Sequence, residues 1–495
     1  MSAAQRAFAS GVKSEVVPLC GVDMPASFVR IPGMFFFENT DGRSDFMLSE
    51  LLQEGLYKML ARAPVLAGRL RATESGFLEV VVDRDDLNFP PLREAECDLH
   101  FDQAREGGFD PTLLPPCDES SDVYVVGRSI RDAKLASVAV FRLRENSGAV
   151  VIFSVAHGLV DAAGFVALTA EWARECRVLA GGGTQADAAA PPISYDRRAM
   201  QSCIPDQAEP DDSLVRHVHV PGTFLSRQLA RASPEMRGRI LQKVTHLMDT
   251  VSMSYHVSRK TLDRLREEVV AAAGAEKQQQ RISHNDLLVA VLTILMAQCA
   301  QAPPGEKPGV LGRLLGLLPW WGSGRKTFQT SVAADIRPRV PGVAELGYCG
   351  NGMIKQTFAT AHDDLLQPVT AELVGSVAAR VRRATEDVTL GFVQQFAHTI
   401  ERSPDCYIRP IVCGIRHPMK MMTSNHTRLG YYGCDFGSGA PAWACPPSGV
   451  FPNMIFILPA PAHMDGYNVF LSTTSDIMPR IAAHKYWTNM TTRIN

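Results

Sequence analysis

The most informative stretch of this 495-residue sequence is AVVIFSVAHGLVDAAG, residues 149–164. Its first eight residues, 149–156, are almost continuously apolar, which is typical of a β-strand covered on both faces. The strand delivers His157 to its carboxyl end, and Asp161 follows at the mouth of a helix predicted from about Ala162. Because ligands bind beyond the carboxyl ends of strands in α/β sheets, we expect this histidine to face a binding crevice.

An imidazole at such a position can act as a general base, because its pKa lies near neutrality. Of the 13 histidines, His157 alone has an aspartate at the fourth following position. Gly158 is expected to leave room where a substrate approaches. The same pattern also fits a buried, hydrogen-bonded histidine beside a helix-capping aspartate. A metal pair is less favoured, because no third ligand is evident.

Asp161 has two possible roles, of which the structural one is favoured. It could polarise His157 as in a catalytic triad, or it could hold the turn and cap the following helix. A side chain that starts a helix often points back along its own turn. We therefore expect Asp161 to be a structural residue.

Composition indicates a globular protein of about two domains. The 50 Lys+Arg against 52 Asp+Glu leave a net charge of −2, which argues against a nucleic-acid partner and gives no support to membrane attachment. Eleven cysteines without a CxxC pair favour reduced, mostly buried thiols. The N-terminal segment has no apolar signal region, and no apolar run approaches the roughly 20 residues of a membrane span. We predict a cytoplasmic monomer.

Strand and helix patterns alternate in both halves, which predicts an α/β fold of two similar units. Between them the composition shifts to Gly, Ala, Pro and Asp. We predict an N-terminal domain at 1–180, an interdomain connection at 181–250 and a C-terminal domain at 251–495.

Several ordered segments resemble the BAHD family of acyl-CoA-dependent acyltransferases. Together they run from about residue 64 to 441, and the ordered set is far more specific than any one of them. The segments are PVLAGRL at 64–70, HGLVD at 157–161, SHNDLLVA at 283–290, ADIRPR at 334–339, YCGN at 348–351, TSNHTRL at 423–429 and DFGSGAP at 435–441. The sequence departs from the family pattern at Ala162, where glycine is more frequent, and at Asn425 and Ser438, where the family has tryptophan.

The resemblance implies two chloramphenicol-acetyltransferase-like domains with mixed sheets and flanking helices. Coenzyme A and the acceptor would enter an active-site channel from opposite faces and meet at His157. By the same resemblance, Asp161 orients its loop through an arginine, and Thr423 supplies a hydroxyl to the oxyanion. Asp435 and Gly437 would be structural, with Asp435 pairing with an arginine such as Arg337.

Other residues remain open to two interpretations. Asn425 competes with Thr423 as an oxyanion donor. Arg337 and Arg339 alternate in a possible strand, which would place them on one face. Trp320-Trp321 fits either a lid or ordinary loop packing.

A polar segment before the 283–290 helix is a candidate for binding the phosphates of coenzyme A. Lys277, Arg281 and Ser283 lie where helix-terminal amides could meet a phosphate, although the segment also fits an ordinary polar loop.

The resemblance implies an O-acyltransferase, by default an acetyltransferase, acting on a hydroxyl of a small secondary metabolite. Acyl-CoA would be a co-substrate, with no permanently bound cofactor, no metal and no acyl-enzyme. The alternatives are a condensation-type or N-acyltransferase that uses an amine, and a catalytically silent metabolite-binding relative. Ala156 disfavours the condensation type, which usually has a second histidine there. No G-x-S-x-G or P-loop supports a hydrolase or a nucleotide-binding protein.

Overall fold

The computed structural model describes residues 2–27, 29–74, 77–120, 129–181, 193–197, 249–273, 281–300, 327–402, 419–447 and 451–495, together with single residues at 233, 236 and 239. Within this part the helices are α1 (Ala3–Gly11), α2 (Ser49–Arg62), α3 (Phe101–Glu106), α4 (Ala162–Leu179), α5 (Arg259–Ala272), α6 (His284–Cys299), α7 (His362–Leu365), α8 (Ala371–Glu386), α9 (Leu390–Arg402), α10 (Met478–Ala482) and α11 (Lys485–Met490).

The strands are β1 (Glu15–Pro18), β2 (Arg30–Glu38), β3 (Arg69–Ala72), β4 (Leu78–Val82), β5 (Leu92–Cys97), β6 (Ala136–Leu143), β7 (Gly148–Ala156), β8 (Thr250–Val257), β9 (Thr327–Asp335), β10 (Met353–Ala361), β11 (Lys420–Asn425), β12 (Trp443–Cys445), β13 (Met454–Pro459), β14 (Tyr467–Thr474) and β15 (Thr492–Arg493).

The apolar strand singled out by the sequence, β7, is the middle strand of a five-stranded sheet with the order β12-β2-β7-β6-β5. All nine of its residues are buried. Val151 and Phe153 pack into the core that contains α2 and α4, whereas Val150 and Ile152 pack into a core on the opposite face. The strand is therefore covered on both faces, as its continuous apolarity predicts.

The second half is built on a seven-stranded mixed sheet with the order β10-β9-β11-β13-β14-β8-β15. One face packs against α5, α6 and α8 in a separate core. The apolar run predicted to be a core helix is α6, in which 13 of 16 residues are buried. Among the described helices, none combines the length and the apolar character that a membrane span requires.

The second half of the chain contributes one strand to the sheet of the first half. β12, which belongs to the second half of the chain, pairs antiparallel with β2 in the first sheet. The predicted domain bounds remain a prediction, but the sheet of the first half is completed by residues from the second. Most of the predicted connection at 181–250 lies outside the described residues; within it, Ser194 bridges to Tyr348.

The prediction that Arg337 and Arg339 share the face of a strand is wrong. Strand β9 ends at Asp335, and Arg337–Arg339 form a 3-10 turn. Pro338 has no N–H to donate to a strand ladder, so it ends the regular pairing. The turn directs Arg337 into the interior, where it is buried.

Candidate active site

A cavity of about 1200 Å³ lies between the open face of the seven-stranded sheet and the first half of the chain. Both halves line it, the first through residues such as Val29 and His157, and the second through residues such as Ser331 and Ser424. The cavity brings the predicted base together with the TSN segment, which is 266 positions away by residue number (423 − 157). The fold therefore makes one site from two distant segments.

The backbone at the end of β7 holds His157 at the cavity wall. The N–H of His157 donates to the carbonyl of Val29 at 2.9 Å, after which the chain turns into α4. The expectation that Gly158 leaves room for a substrate is wrong. A Cβ at Gly158 would lie 2.9 Å from the Cα of Ser27, so the missing side chain makes room for neighbouring backbone.

The imidazole of His157 is held in one tautomer. Its Nδ1 lies 3.0 Å from the carbonyl oxygen of Val160, which can only accept, so Nδ1 carries the proton. Nε2 is then the nitrogen with the free lone pair, and it has no hydrogen-bond partner among the described residues. Burial lowers the pKa of His157 below its ordinary value, although a backbone hydrogen bond and the charge of Asp161 oppose this.

The carboxylate of Asp161 is saturated by four N–H donors, none of them from His157. Arg337 binds it through both Nη atoms at 2.8 Å each, and the backbone N–H groups of Gly164 and Gly352 donate at 3.0 and 2.9 Å. Burial alone would raise the pKa of Asp161, but Arg337 and these hydrogen bonds hold it below its usual value. The residue caps α4 and ties the His157 loop to the second half.

Asp435 does not pair with Arg337, contrary to the expectation from the family. Its Oδ1 accepts the backbone N–H groups of Gly437, Ser438 and Gly439 at 2.8, 3.1 and 2.9 Å. Gly437 has φ +97°, a conformation that favours glycine. The carbonyl of Asp435 accepts from the side chain of Arg177 on α4, and the loop lies outside the cavity lining.

The phenylalanine of this loop anchors it to the first core. The ring of Phe436 packs edge-on against Trp172, with 4.8 Å between ring centroids, and against Phe37 at 5.6 Å. The motif therefore contributes to packing and does not contact the cavity.

Thr423 is buried and lies on the opposite side of the sheet from the cavity. In β11 it is aligned with Val332 and Ile455, which belong to the core under the helices, and its hydroxyl is 3.4 Å from the carbonyl of Ser331. The next residue, Ser424, lines the cavity. Since side chains alternate along a strand, the expected oxyanion donor is one residue away from the position that faces the site.

Ser424 belongs to a chain of hydrogen bonds that the sequence analysis did not anticipate. Its Oγ lies 2.9 Å from Nε2 of His426, and Nδ1 of His426 lies 2.9 Å from the hydroxyl of Tyr431. Burial lowers the pKa of His426 to about 4, and the nearby His157 adds to this lowering. The imidazole of His426 is therefore neutral. The sequence feature that could have indicated this hydrogen-bond chain is the histidine two residues after Ser424.

Asn425 joins β11 to the start of α6. Its Nδ2 donates to Oδ1 of Asn285 at 2.6 Å, and its Oδ1 accepts from the N–H and hydroxyl of Thr427. Its Oδ1 and one of the two Nδ2 hydrogens are thus engaged, and the residue lines the cavity, so its role as an oxyanion donor stays a prediction.

The residues predicted to bind coenzyme A lie at the first turn of α6. Ser283 caps this helix and exchanges hydrogen bonds with Asp286, a buried carboxylate that also pairs with Arg382. Arg281 lines the cavity beside it. Lys277 lies outside the described residues, as do Trp320 and Trp321.

Arg197 supports the loop that follows His157 and was missed by the sequence analysis. It is buried, forms an ion pair with the fully buried Asp23, and donates to the carbonyls of Gly158 and Leu159 at 3.3 and 3.2 Å. These carbonyls directly follow His157. No pattern in the sequence distinguishes this arginine from a surface residue.

A family model described as Transferase family matches residues 8–182 and 323–488, which is more than half of the chain. The chain belongs to this family, the BAHD acyltransferases. The resemblance inferred from the sequence is confirmed, and the protein is an acyltransferase. The segment that contains Arg281 and Ser283 lies outside the matched ranges, so those two assignments gain no support from the model.

Individual BAHD-like proteins are distant from this chain. The O-acetyltransferase ptmV of Penicillium ochrochloron is 21% identical over 529 residues, covering 97% of each sequence. The structure of F. graminearum TRI101 with ethyl coenzyme A superposes with a TM-score of 0.72 at 15% identity, covering 98% of this chain and 100% of that one. The structure of vinorine synthase superposes with a TM-score of 0.59 at 17% identity, covering 95% of each chain. These structures confirm the two-domain α/β fold.

Proposed function

We propose that this BAHD chain transfers an acyl group, acetyl by expectation, from coenzyme A to a hydroxyl of a small secondary metabolite, with His157 as the general base. The observation that carries the proposal is the state of the imidazole. Val160 fixes the proton on Nδ1, and burial keeps the ring neutral, so Nε2 is a free base at a cavity formed by both halves.

Similar proteins support the choice of substrates. The curated relative is an O-acetyltransferase, and TRI101 has been crystallised with ethyl coenzyme A and with coenzyme A and T-2 mycotoxin. In this chain, the first turn of α6 with Arg281 and Ser283 is the proposed place for the phosphates of coenzyme A, because helix N-termini favour anions.

The proposed reaction is a direct transfer. Nε2 of His157 takes the proton of the acceptor hydroxyl while its oxygen attacks the thioester carbonyl carbon. The new C–O bond gives a tetrahedral intermediate, whose collapse breaks the C–S bond. The imidazolium then protonates the departing thiolate, which restores the neutral base. General base catalysis of this kind contributes about 10²–10⁴ in rate.

Ser424, in place of Thr423, is the proposed donor to the oxyanion of that intermediate. When the hydroxyl of Tyr431 donates to Nδ1 of His426, the proton of His426 lies on Nε2 and is donated to Oγ of Ser424. The O–H of Ser424 is then left to point at the substrate oxygen. The neutral state of His426 makes this arrangement available throughout the ordinary pH range.

The test is thiol release from a panel of acyl-CoA thioesters with hydroxylated terpenoid, alkaloid and polyketide acceptors. His157→Ala should lower turnover by about 10²–10⁴-fold while the protein remains folded. His463→Ala, at an exposed histidine, is the matched control and should retain activity. A folded His157→Ala protein that keeps most of its activity would contradict the proposal, as would an acyl adduct detected by intact-protein mass spectrometry.

The alternatives predict other outcomes of the same assay. An N-acyltransferase would release thiol only with amine acceptors, and a silent relative would release none with any donor. A cytoplasmic monomer also remains our expectation, which size-exclusion chromatography and fractionation would test.

A further inference from the structure

Lys355 presents a charged side chain to the cavity. It lies on β10, directly opposite Ala333 of β9, and both residues line the cavity. Directly opposite residues of paired strands project from the same face of the sheet. The strand register therefore directs Lys355 towards the active site and away from the helices on the other face.

The ammonium group of Lys355 has no counter-ion among the described residues. Asp335 lines the same cavity, but its carboxylate binds Arg337 at 3.0 Å. Burial, reinforced by Lys420, lowers the pKa of Lys355 to about 8. A shielded cation without an anionic partner is costly, and a bound anion would remove that cost.

Lys420 provides a second positive charge at the same wall. It begins β11, lines the cavity, and precedes Ser424 by four positions on the alternating face. Its charge acts on Lys355 even though β9 separates their strands. The two lysines, level with Ala333 and Gln329 of β9, therefore line the same cavity from the two strands that flank β9.

The strand register also gives the separation between the backbones of Lys355 and Ser424, the proposed oxyanion donor. Thr423 is aligned with Val332, so Ser424 is level with Ala333 and hence with Lys355. Two strand spacings, about 10 Å, separate the backbones at Ser424 and Lys355. The first turn of α6 contacts the sheet at β14, which lies on the opposite side of β11 from β10: there Nδ1 of His284 is hydrogen-bonded to the hydroxyl of Tyr467.

We propose that Lys355, together with Lys420, forms a subsite for an anionic group on the acceptor. The acceptor is then an apolar hydroxy acid whose carboxylate and acylated hydroxyl are separated on the scale of these two strand spacings, on the order of 10 Å. The acid function matches the lysines, and the apolar body matches the other cavity residues near the same strands: Met353, Met422, Phe396 and Phe451. This inference rests on the proposed acyl transfer at His157.

The phosphates of coenzyme A are the other possible source of an anion. Their proposed place at α6 lies on the β14 side of Ser424, whereas Lys355 lies on the β10 side. A lysine that served coenzyme A would change the KM for the thioester. A lysine that binds the acceptor would instead change the affinity of the protein for the acceptor. The two sources of the anion can therefore be separated.

The experiment compares rigid hydroxy acids with their methyl esters as ligands and acceptors of the full-length protein. The panel includes 4′-hydroxybiphenyl-4-carboxylic acid, whose hydroxyl and carboxylate are about two strand spacings, about 10 Å, apart. Binding is measured by calorimetry and transfer by thiol release. Wild-type protein should bind the best acid about 10–100-fold more tightly than its ester, as expected for a charge-assisted hydrogen bond.

Lys355→Met should abolish the difference between acid and ester, and Lys355→Arg should keep most of it. Lys58→Met, at an exposed lysine of α2, should leave it intact. The proposal is overturned if no acid in the panel exceeds its ester, if the preference survives in Lys355→Met, or if that variant changes only the KM for acyl-CoA.

Failure of the proposed function would look different. Acids that bind through Lys355 without any thiol release would reject acyl transfer but retain the anion subsite. Turnover of esters without a preference for acids would retain acyl transfer and reject the subsite.

Discussion

Arg337 and Asp161 are 176 residues apart in the chain, yet their side chains form a bidentate ion pair in which both N···O distances are 2.8 Å. The pair joins the loop after His157 to the turn that follows β9. The position of the proposed base therefore depends on contact between the two halves of the chain.

Removing this arginine should destabilise the protein strongly. Arg337→Met leaves the buried carboxylate of Asp161 without its counter-ion, which should lower the free energy of unfolding by about 3–5 kcal/mol. Arg339→Met is the matched control two residues away, where the side chain is only partly buried. Denaturant unfolding measures both variants, and equal losses would contradict the structural role of the pair.

Ser424 and Thr423 offer a second comparison, between neighbours on opposite faces of one strand. Ser424→Ala should lower kcat by about 10²–10³-fold, the usual cost of losing an oxyanion donor. Thr423→Val keeps the shape of a side chain packed away from the cavity and should leave kcat within a few-fold. Steady-state kinetics decide the matter; a larger kcat loss in Thr423→Val would restore the role expected from the family.

The pH profile of kcat/KM should report the lowered pKa of His157. The base acts only when neutral, so activity should rise with pH through this pKa and then reach a plateau. Because burial lowers the pKa, the midpoint of the acidic limb should lie below the reference value of 6.5. His426, with a pKa of about 4, titrates further into acid. A midpoint above 6.5 would mean that another group limits the rate or that His157 is solvated.

Gly158→Ala should disturb the loop that carries His157. The added methyl group would lie 2.9 Å from the Cα of Ser27, and overpacking of this kind costs about 1–3 kcal/mol. Gly11→Ala, where a Cβ meets nothing within 4 Å, is the control. The midpoint temperature of thermal unfolding and kcat are measured for both variants, and we expect both quantities to fall only for Gly158→Ala. An unchanged kcat would show that the loop tolerates the shift.

Much of the architecture could be inferred from local patterns. The apolar run of β7, the periodicity of α4 and the apolar α6 each follow from which faces must be buried. The structural role expected for Asp161 is consistent with its capping contact, because an N-cap is a local interaction within a few residues.

Errors arose where a side chain's partner is distant in the chain. Arg337 was expected to pair with Asp435, but Asp435 finds three donors in its own turn and Asp161 is the buried carboxylate within reach. Thr423 was expected at the oxyanion, with Asn425 as its competitor, and Ser424 was not considered, because the family pattern does not specify which face of β11 meets the cavity. That face is set by pairing with β9 and β13.

The sequence by itself determined the family, the α/β class and a histidine at the end of a buried strand, because burial periodicity and ordered motifs are properties of local segments. Tertiary structure alone decided which groups line the same cavity as that histidine, Ser424, His426 and Lys355, and which arginines, Arg337 and Arg197, hold its loop. Strand register and the packing of two halves select one face of each segment, and a shift of a single residue in a strand reverses that selection.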